Sequence, residues 1–172
     1  LKSKAIFFDR DGVINERILD GYVRSWDEFH FLPDVGEVVR SVKALGYLCI
    51  IISNQRGVGL GLMSESDLDE IHRKMQDELE KKFGIAFDDI IVCTDATNES
   101  KRRKPSPAML LEAKEKYNID VAQSWMIGDT PSDIEAGIRA GTKTAFVLNQ
   151  HDAPPDNATV TIHSLPEIIN FL

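Results

Sequence analysis

Cysteine is almost missing from this chain. Only Cys49 and Cys93 occur among 172 residues, both inside apolar runs, which excludes a disulfide-stapled fold and leads us to expect buried free thiols in a cytoplasmic protein. A surplus of positive charge is missing too. With 20 basic against 28 acidic residues the formal charge is -8, so the surface as a whole repels a nucleic-acid backbone. No apolar run approaches the roughly 20 residues that cross a bilayer, and the first, at 5–8, is too short for the core of a secretory signal. The expected partner is a small molecule, with no nucleic acid and no membrane, and the expected assembly is a monomer or small homo-oligomer. The chain starts at Leu1 without a methionine, as expected if preceding residues were trimmed. Internal repeats are absent as well. The length and a 42% hydrophobic content fit one compact domain over 1–172.

What is present is a regular alternation of short β-rich runs and longer helical patterns. Strands are expected at 4–8, 47–53, 89–94, 124–129 and 143–148, and helices at 35–46, 64–83, 105–117 and 131–140. The 47–53 run, YLCIIIS, is apolar throughout, as a strand covered on both faces requires. Helix 64–83 carries Leu68, Ile71, Met75, Leu79 and Phe83 at spacings of three and four, a single apolar stripe. A polar, proline-bearing connector at 149–159 leads to a short last strand and a tail helix at 165–172. This order predicts an α/β fold, a doubly wound parallel sheet with helices on both faces.

Ligands of such sheets bind at the carboxyl ends of the strands, and four polar groupings fall there. Asp9 and Asp11 end the first strand, Ser53 and Asn54 the second; Lys104 is expected to open the helix after the third; Asp129 and Asp133 follow the fourth. If the chain is still extended at the first strand end, Asp9 and Asp11 face one pocket with Arg10 turned aside. Carboxylates held together repel unless a cation lies between them or one is protonated, and oxygen ligands suit a hard ion such as Mg²⁺. Taken alone, DRDG also reads as an Asp-Gly turn that stops a strand. Thr130 and Pro131 have the chemistry of an N-cap and first helical position, with Asp133 placed against the helix dipole. The basic run KRRKPSP at 101–107 reads alone as a nucleic-acid patch, and in an acidic chain before a helix as a phosphate site, with Lys104 reaching the substrate. Ser53 and Asn54 are placed to donate hydrogen bonds to the same phosphate. GVGLG at 57–61 lacks dinucleotide spacing and is expected to be a flexible loop at the pocket mouth.

Together DRDGVIN, ISNQ, RRKPSP and GDTPSD resemble the four signature motifs of the haloacid dehalogenase (HAD) superfamily of phosphohydrolases, over residues 4–148. In detail the chain is similar to the histidinol-phosphatase and heptose-bisphosphate phosphatase branch, through DRDGxxN, the following Tyr22-Val23, the strand-end Asn54-Gln55 and RKP before a helix. The resemblance implies a Mg²⁺-dependent phosphomonoesterase working through an aspartyl-phosphate, in carbohydrate metabolism. It implies Asp9 as nucleophile and Asp11 as general acid and then base. Mg²⁺ would be held by the Asp9 carboxylate, the Asp11 backbone carbonyl and Asp129. Ser53 and Lys104 would hold phosphoryl oxygens, Asn54 and Arg103 would place substrate, and Asp133 would support the metal from behind its ligands. Heptose 1,7-bisphosphate is the favoured substrate and histidinol phosphate the alternative.

Two departures from the branch stand out. Val13 replaces the usual threonine of the first motif, and the cysteine and histidine zinc loop found before RKP in many heptose-bisphosphate phosphatases is reduced to Cys93 alone. Structural zinc is therefore not expected, because about four ligands cannot be assembled. The intervals between motifs are too short for a large cap domain, so substrate selection is expected from segments 18–31 and 57–63. A phosphoacceptor receiver module has a similar acidic edge, but its lysine follows the last strand, where this chain has Asn149 and Gln150. A silent phosphate-binding module is the other class left open, although every catalytic acid is in place.

Overall fold

The computed structural model describes residues 1–172. Six strands, β1 (Lys4–Phe8), β2 (Tyr47–Asn54), β3 (Asp89–Cys93), β4 (Trp125–Gly128), β5 (Lys143–Val147) and β6 (Val160–Ile162), form one sheet in the order β3-β2-β1-β4-β5-β6, and every pair is parallel. The chain starts at the sheet centre with β1, winds out to β3, returns beside β1 for β4 and winds out the other way to β6, so the order reverses between β1 and β4. That reversal leaves a crevice above the carboxyl ends of these two strands.

Each central strand is apolar on both sides because each feeds two cores. In β1, Ile6 and Phe8 join the core under α1 (Val35–Ala44) and α3 (Glu65–Phe83), whereas Ala5 and Phe7 join the opposite core under α4 (Ala108–Tyr117) and α5 (Pro131–Ala140). Alternate residues of β2 divide in the same way, Cys49 and Ile51 against Ile50 and Ile52. Full burial of each such side chain contributes about 1.5–3 kcal/mol, so the centre of the sheet is the most rigid platform in the molecule. Phe8 also meets Phe87 edge-on, with ring centroids 5.7 Å apart.

Helix α3 begins where Ser64 and Asp67 cap each other reciprocally, and stops at Gly84, whose φ of 66° is left-handed. Its inner face buries Leu68, Ile71, Met75 and Leu79 as the spacing predicts, and adds His72. Three expectations are corrected. Helix α4 starts at Ala108, so Lys104 lies in the approach to it rather than at its first turn. The tail is a 3-10 helix, Leu165–Phe171. The glycine-rich segment is no free loop: α2 (Arg56–Gly59) is a single helical turn, and Gly59 lies so close to the Thr94 carbonyl that a Cβ there would come within 2.2 Å. The stretch from β1 to α1 adds only a 3-10 turn, Trp26–Glu28, and no large cap domain covers the sheet edge.

Candidate active site

The crevice between β1 and β4 opens into a polar cavity of about 220 Å³ lined by Asp9, Asp11, Asn54, Arg103, Lys104, Asp129 and Asp133, among others. Six of the seven expected side chains besides Asp9 thus share its wall, and one does not. Ser53 is fully buried beneath the cavity, where its hydroxyl accepts a hydrogen bond from Gln55 Nε2 at 2.7 Å. Gln55, the next residue to face that way, lines the cavity instead.

Lys104 is the hub. Its ammonium is 1% exposed and donates to Asp9 Oδ1 at 2.8 Å and the Ile52 carbonyl at 2.8 Å, while Asp133 Oδ1 lies 2.7 Å away. Burial opposes its charge, but the Asp133 and Asp9 carboxylates outweigh that and hold its pKa above the ordinary lysine value. The backbone that delivers it is clamped by Asn54, whose Oδ1 accepts from the Lys104 N–H at 3.0 Å and whose Nδ2 donates to the Lys104 carbonyl at 3.2 Å. Asn54 therefore sets where the lysine stands.

Asp9, Asp129 and Asp133 place one carboxylate oxygen each within 4.8 Å of one another. Burial, then the neighbouring Asp133 carboxylate, raise Asp9 well above the usual range against the pull of Lys104, and the same two causes push Asp129 up to about 6 against Arg17. Asp133 is fully engaged: Oδ2 accepts from the N–H groups of Asp129 and Thr130 at 3.2 and 3.1 Å, and Oδ1 faces Lys104. Asp129 is not, since its Oδ1 is buried without any partner. A buried, unpartnered carboxylate oxygen beside a second carboxylate of raised pKa fits a hard divalent cation. Gly12 makes the arrangement sterically possible. At φ 90° it passes under Asp129, and a Cβ there would lie 2.0 Å from Asp129 Oδ2.

Asp11 turns away from this cluster. Its Oδ1 accepts from Arg10 Nη2 at 2.9 Å and Asn15 Nδ2 at 3.0 Å, and its Oδ2 from Gln55 Nε2 at 2.9 Å. Burial works to raise its pKa, but the Arg10 guanidinium and these three donors prevail and hold it below the usual carboxylate range. Arg10 is turned aside from the pocket as expected, yet it is completely buried rather than solvated. Arg103 lines the cavity, with Nη1 buried and unpartnered.

Sequence reasoning missed Arg17, Gln55 and Asn149. Arg17 Nη1 reaches Asp129 Oδ2 at 3.3 Å and Asp152 Oδ2 at 2.9 Å, while Asn149 Nδ2 donates to the Asp129 carbonyl at 2.7 Å. The 149–159 segment is thus no plain connector, because its first residues brace the fourth-strand acid. Gln55 was visible inside the ISNQ motif. Arg17 and Asn149 carry no local signal, since only the fold brings them to Asp129.

The HAD-hydrolase-like family model matches residues 101–168. D-glycero-beta-D-manno-heptose-1,7-bisphosphate 7-phosphatase of Helicobacter pylori is 34% identical over 171 residues, covering 99% of this chain and 97% of its own. This chain belongs to the HAD family of phosphohydrolases. The D-glycero-alpha-D-manno-heptose-1,7-bisphosphate 7-phosphatase of Burkholderia mallei is 35% identical to this HAD phosphatase, covering all of the chain and 95% of the relative. Among solved structures, D,D-heptose 1,7-bisphosphate phosphatase from B. bronchiseptica, complexed with magnesium and phosphate, superposes with a TM-score of 0.88 at 26% identity, covering 98% of this HAD phosphatase and 99% of the other chain.

Proposed function

We propose that this phosphatase removes the 7-phosphate of D-glycero-D-manno-heptose 1,7-bisphosphate, acting as one catalytic unit over residues 1–172. The observation that supports the substrate is the end-to-end likeness to enzymes of that name. Relatives of both anomeric types share the chain's length and similar identity, so the anomer is left open.

Asp9 is the nucleophile. Lys104 holds Oδ1, which aims Oδ2 at phosphorus; as the Oδ2–phosphorus bond forms, the bond to the sugar oxygen breaks and Asp11 protonates that oxygen. Asp11 then takes a proton from water as the water oxygen attacks phosphorus, the aspartyl bond breaks, and orthophosphate leaves. The free site favours ionised Asp11, and the arriving phosphate dianion, a like charge beside it, favours the protonated acid the first step needs. Lys104 and Arg103 bind phosphoryl oxygens, Ser53 acts through Gln55, and Asn54 fixes Lys104. The Asp9 and Asp129 carboxylates and the Asp11 carbonyl would hold magnesium, which would supply positive charge to the phosphoryl group when bound. Asp133 supports Lys104 and the Asp129 backbone instead of ligating. Zinc takes no part in this reading. Two unpaired, buried cysteines support a reducing, cytoplasmic setting.

Asp9→Asn is nearly isosteric but cannot attack phosphorus. It is expected to abolish phosphate release from heptose 1,7-bisphosphate, by about 10³-fold or more, with the fold retained. Near-parental turnover in that variant would reject Asp9 as nucleophile; parental enzyme that releases phosphate from histidinol phosphate and not from the heptose would reject the substrate.

A further inference from the structure

One buried group finds no use in the reaction as described. The Arg10 guanidinium is 0% exposed, its Nε has no partner, and it bonds only to Asp11 on one side and, through Nη1, to His72 Nε2 at 3.1 Å on the other. The Phe29 ring lies 5.9 Å from its charge. We infer that His72 is a positioning residue for the general acid: from helix α3 it holds Arg10 in the one orientation that presents Asp11 to the leaving oxygen. The inference rests on the reading of Asp11 as that acid.

The chemistry of the contact is one-directional. Arginine only donates, so His72 Nε2 accepts and the ring proton sits on Nδ1. The imidazole stays neutral, with burial and then the Arg10 charge pushing its pKa down to about 3. A neutral acceptor in the apolar face of α3 is the one way this helix reaches the first motif by a hydrogen bond, since its other inward residues, Leu68, Ile71, Met75 and Leu79, offer none. Without His72, Nη1 becomes a buried donor with nothing to bond to. The guanidinium then has every reason to turn, and Asp11 Oδ1 turns with it. Gln55 from the cavity wall and the buried Asn15 also hold Asp11, but the side chain of neither bonds the Arg10 guanidinium.

A misplaced acid slows both the protonation of the leaving oxygen and the later activation of water, but only the first of these differs from one ester to another. The test therefore compares two esters, heptose 1,7-bisphosphate, whose sugar alkoxide needs the proton, and p-nitrophenyl phosphate, whose phenolate leaves without it. His72→Leu, similar in size but unable to accept, is expected to lose about tenfold in kcat on the heptose ester and under about threefold on the nitrophenyl ester, with KM little changed. His72→Gln, whose amide oxygen accepts from Arg10, is expected to restore the parental ratio. Equal losses on both esters, a loss confined to KM, or no loss would overturn the inference; His72→Met serves the same comparison if the leucine variant unfolds. Asp11→Asn is measured in parallel. If it shows no bias against the heptose ester, the acid assignment itself fails and takes the positioning role with it, whereas a biased Asp11→Asn beside an unbiased His72→Leu sinks the positioning role alone.

Discussion

Asp129 is the residue on which the proposed metal site can be tested most directly. Burial and the Asp133 carboxylate push its pKa up to about 6, and its Oδ1 has no partner, so in the absence of a cation the ionised form is a liability. The sign is that of a carboxylate whose folded pKa lies above its unfolded value. Its favourable contribution is present at acid pH and lost as pH rises through about 6. At pH 7.5 in a chelating buffer, Asp129→Asn is expected to stabilise the protein by about 1–3 kcal/mol in urea melts. With magnesium added the order should reverse, because only the parent gains the ligand's binding energy. Parent and variant with superimposable magnesium titrations would remove Asp129 from the ligand set. Lys104 behaves oppositely: its charge is stabilised on both sides, by Asp9 and Asp133, and serves the site without waiting for a metal.

At the scale of elements, the segment between β3 and α4 is the one for which the sequence predicts a plain loop without zinc. Here a serine does the ordering. The Ser100 hydroxyl accepts from the N–H groups of Arg102 and Arg103 at 3.2 and 3.1 Å, donates to Asp95 Oδ2, and lies 3.7 Å from Cys93 Sγ. Arg56 of α2 adds a bond to the Ala96 carbonyl at 2.8 Å. These hydrogen bonds order the loop that brings Arg103 and Lys104 to the cavity. Protein purified without added metal should contain zinc well below one equivalent, and a zinc-selective chelator should leave magnesium-dependent activity unchanged. Ser100→Ala should cost about 1–3 kcal/mol and expose the 94–103 amides to hydrogen exchange. Stoichiometric zinc lost together with activity would overturn the assignment of this loop.

Across the whole molecule, α3 and the first motif are tied by the one buried imidazole. The depressed pKa of His72, about 3, lies below the value it regains on unfolding, so its contribution is complete above about pH 6.5 and drains away as pH falls toward 3. Global stability is expected to drop by about 1.4 kcal/mol per pH unit on this account between pH 6 and 4. Parent and His72→Gln melted in urea at pH 7, 6 and 5 should diverge, the variant losing less on acidification. Carboxylates that titrate in the same window do so in both proteins and cancel in the difference. Parallel curves would show that the imidazole is charged in the folded state after all.

Residue order alone determined the α/β class, because strands as apolar as Ile50, Ile51 and Ile52 must be covered on both faces. It also determined the chemistry, since Asp9, Asp11, Lys104 and Asp129 lie at strand ends or next to a helix start wherever the alternation is drawn. The roles of individual side chains within that edge were decided only by tertiary structure. Ser53 and Gln55 face the same way two residues apart, yet Ser53 is buried beneath the cavity and it is Gln55 that reaches Asp11. Arg17 and Asn149 meet at Asp129 from separations of 112 and 20 residues along the chain, Asp152 reaches Arg17 across 135, and His72 reaches Arg10 across 62. Periodicity records which face of an element is apolar; it holds no information about which distant polar group that face will meet, because that depends on how the sheet twists and where its strand order reverses.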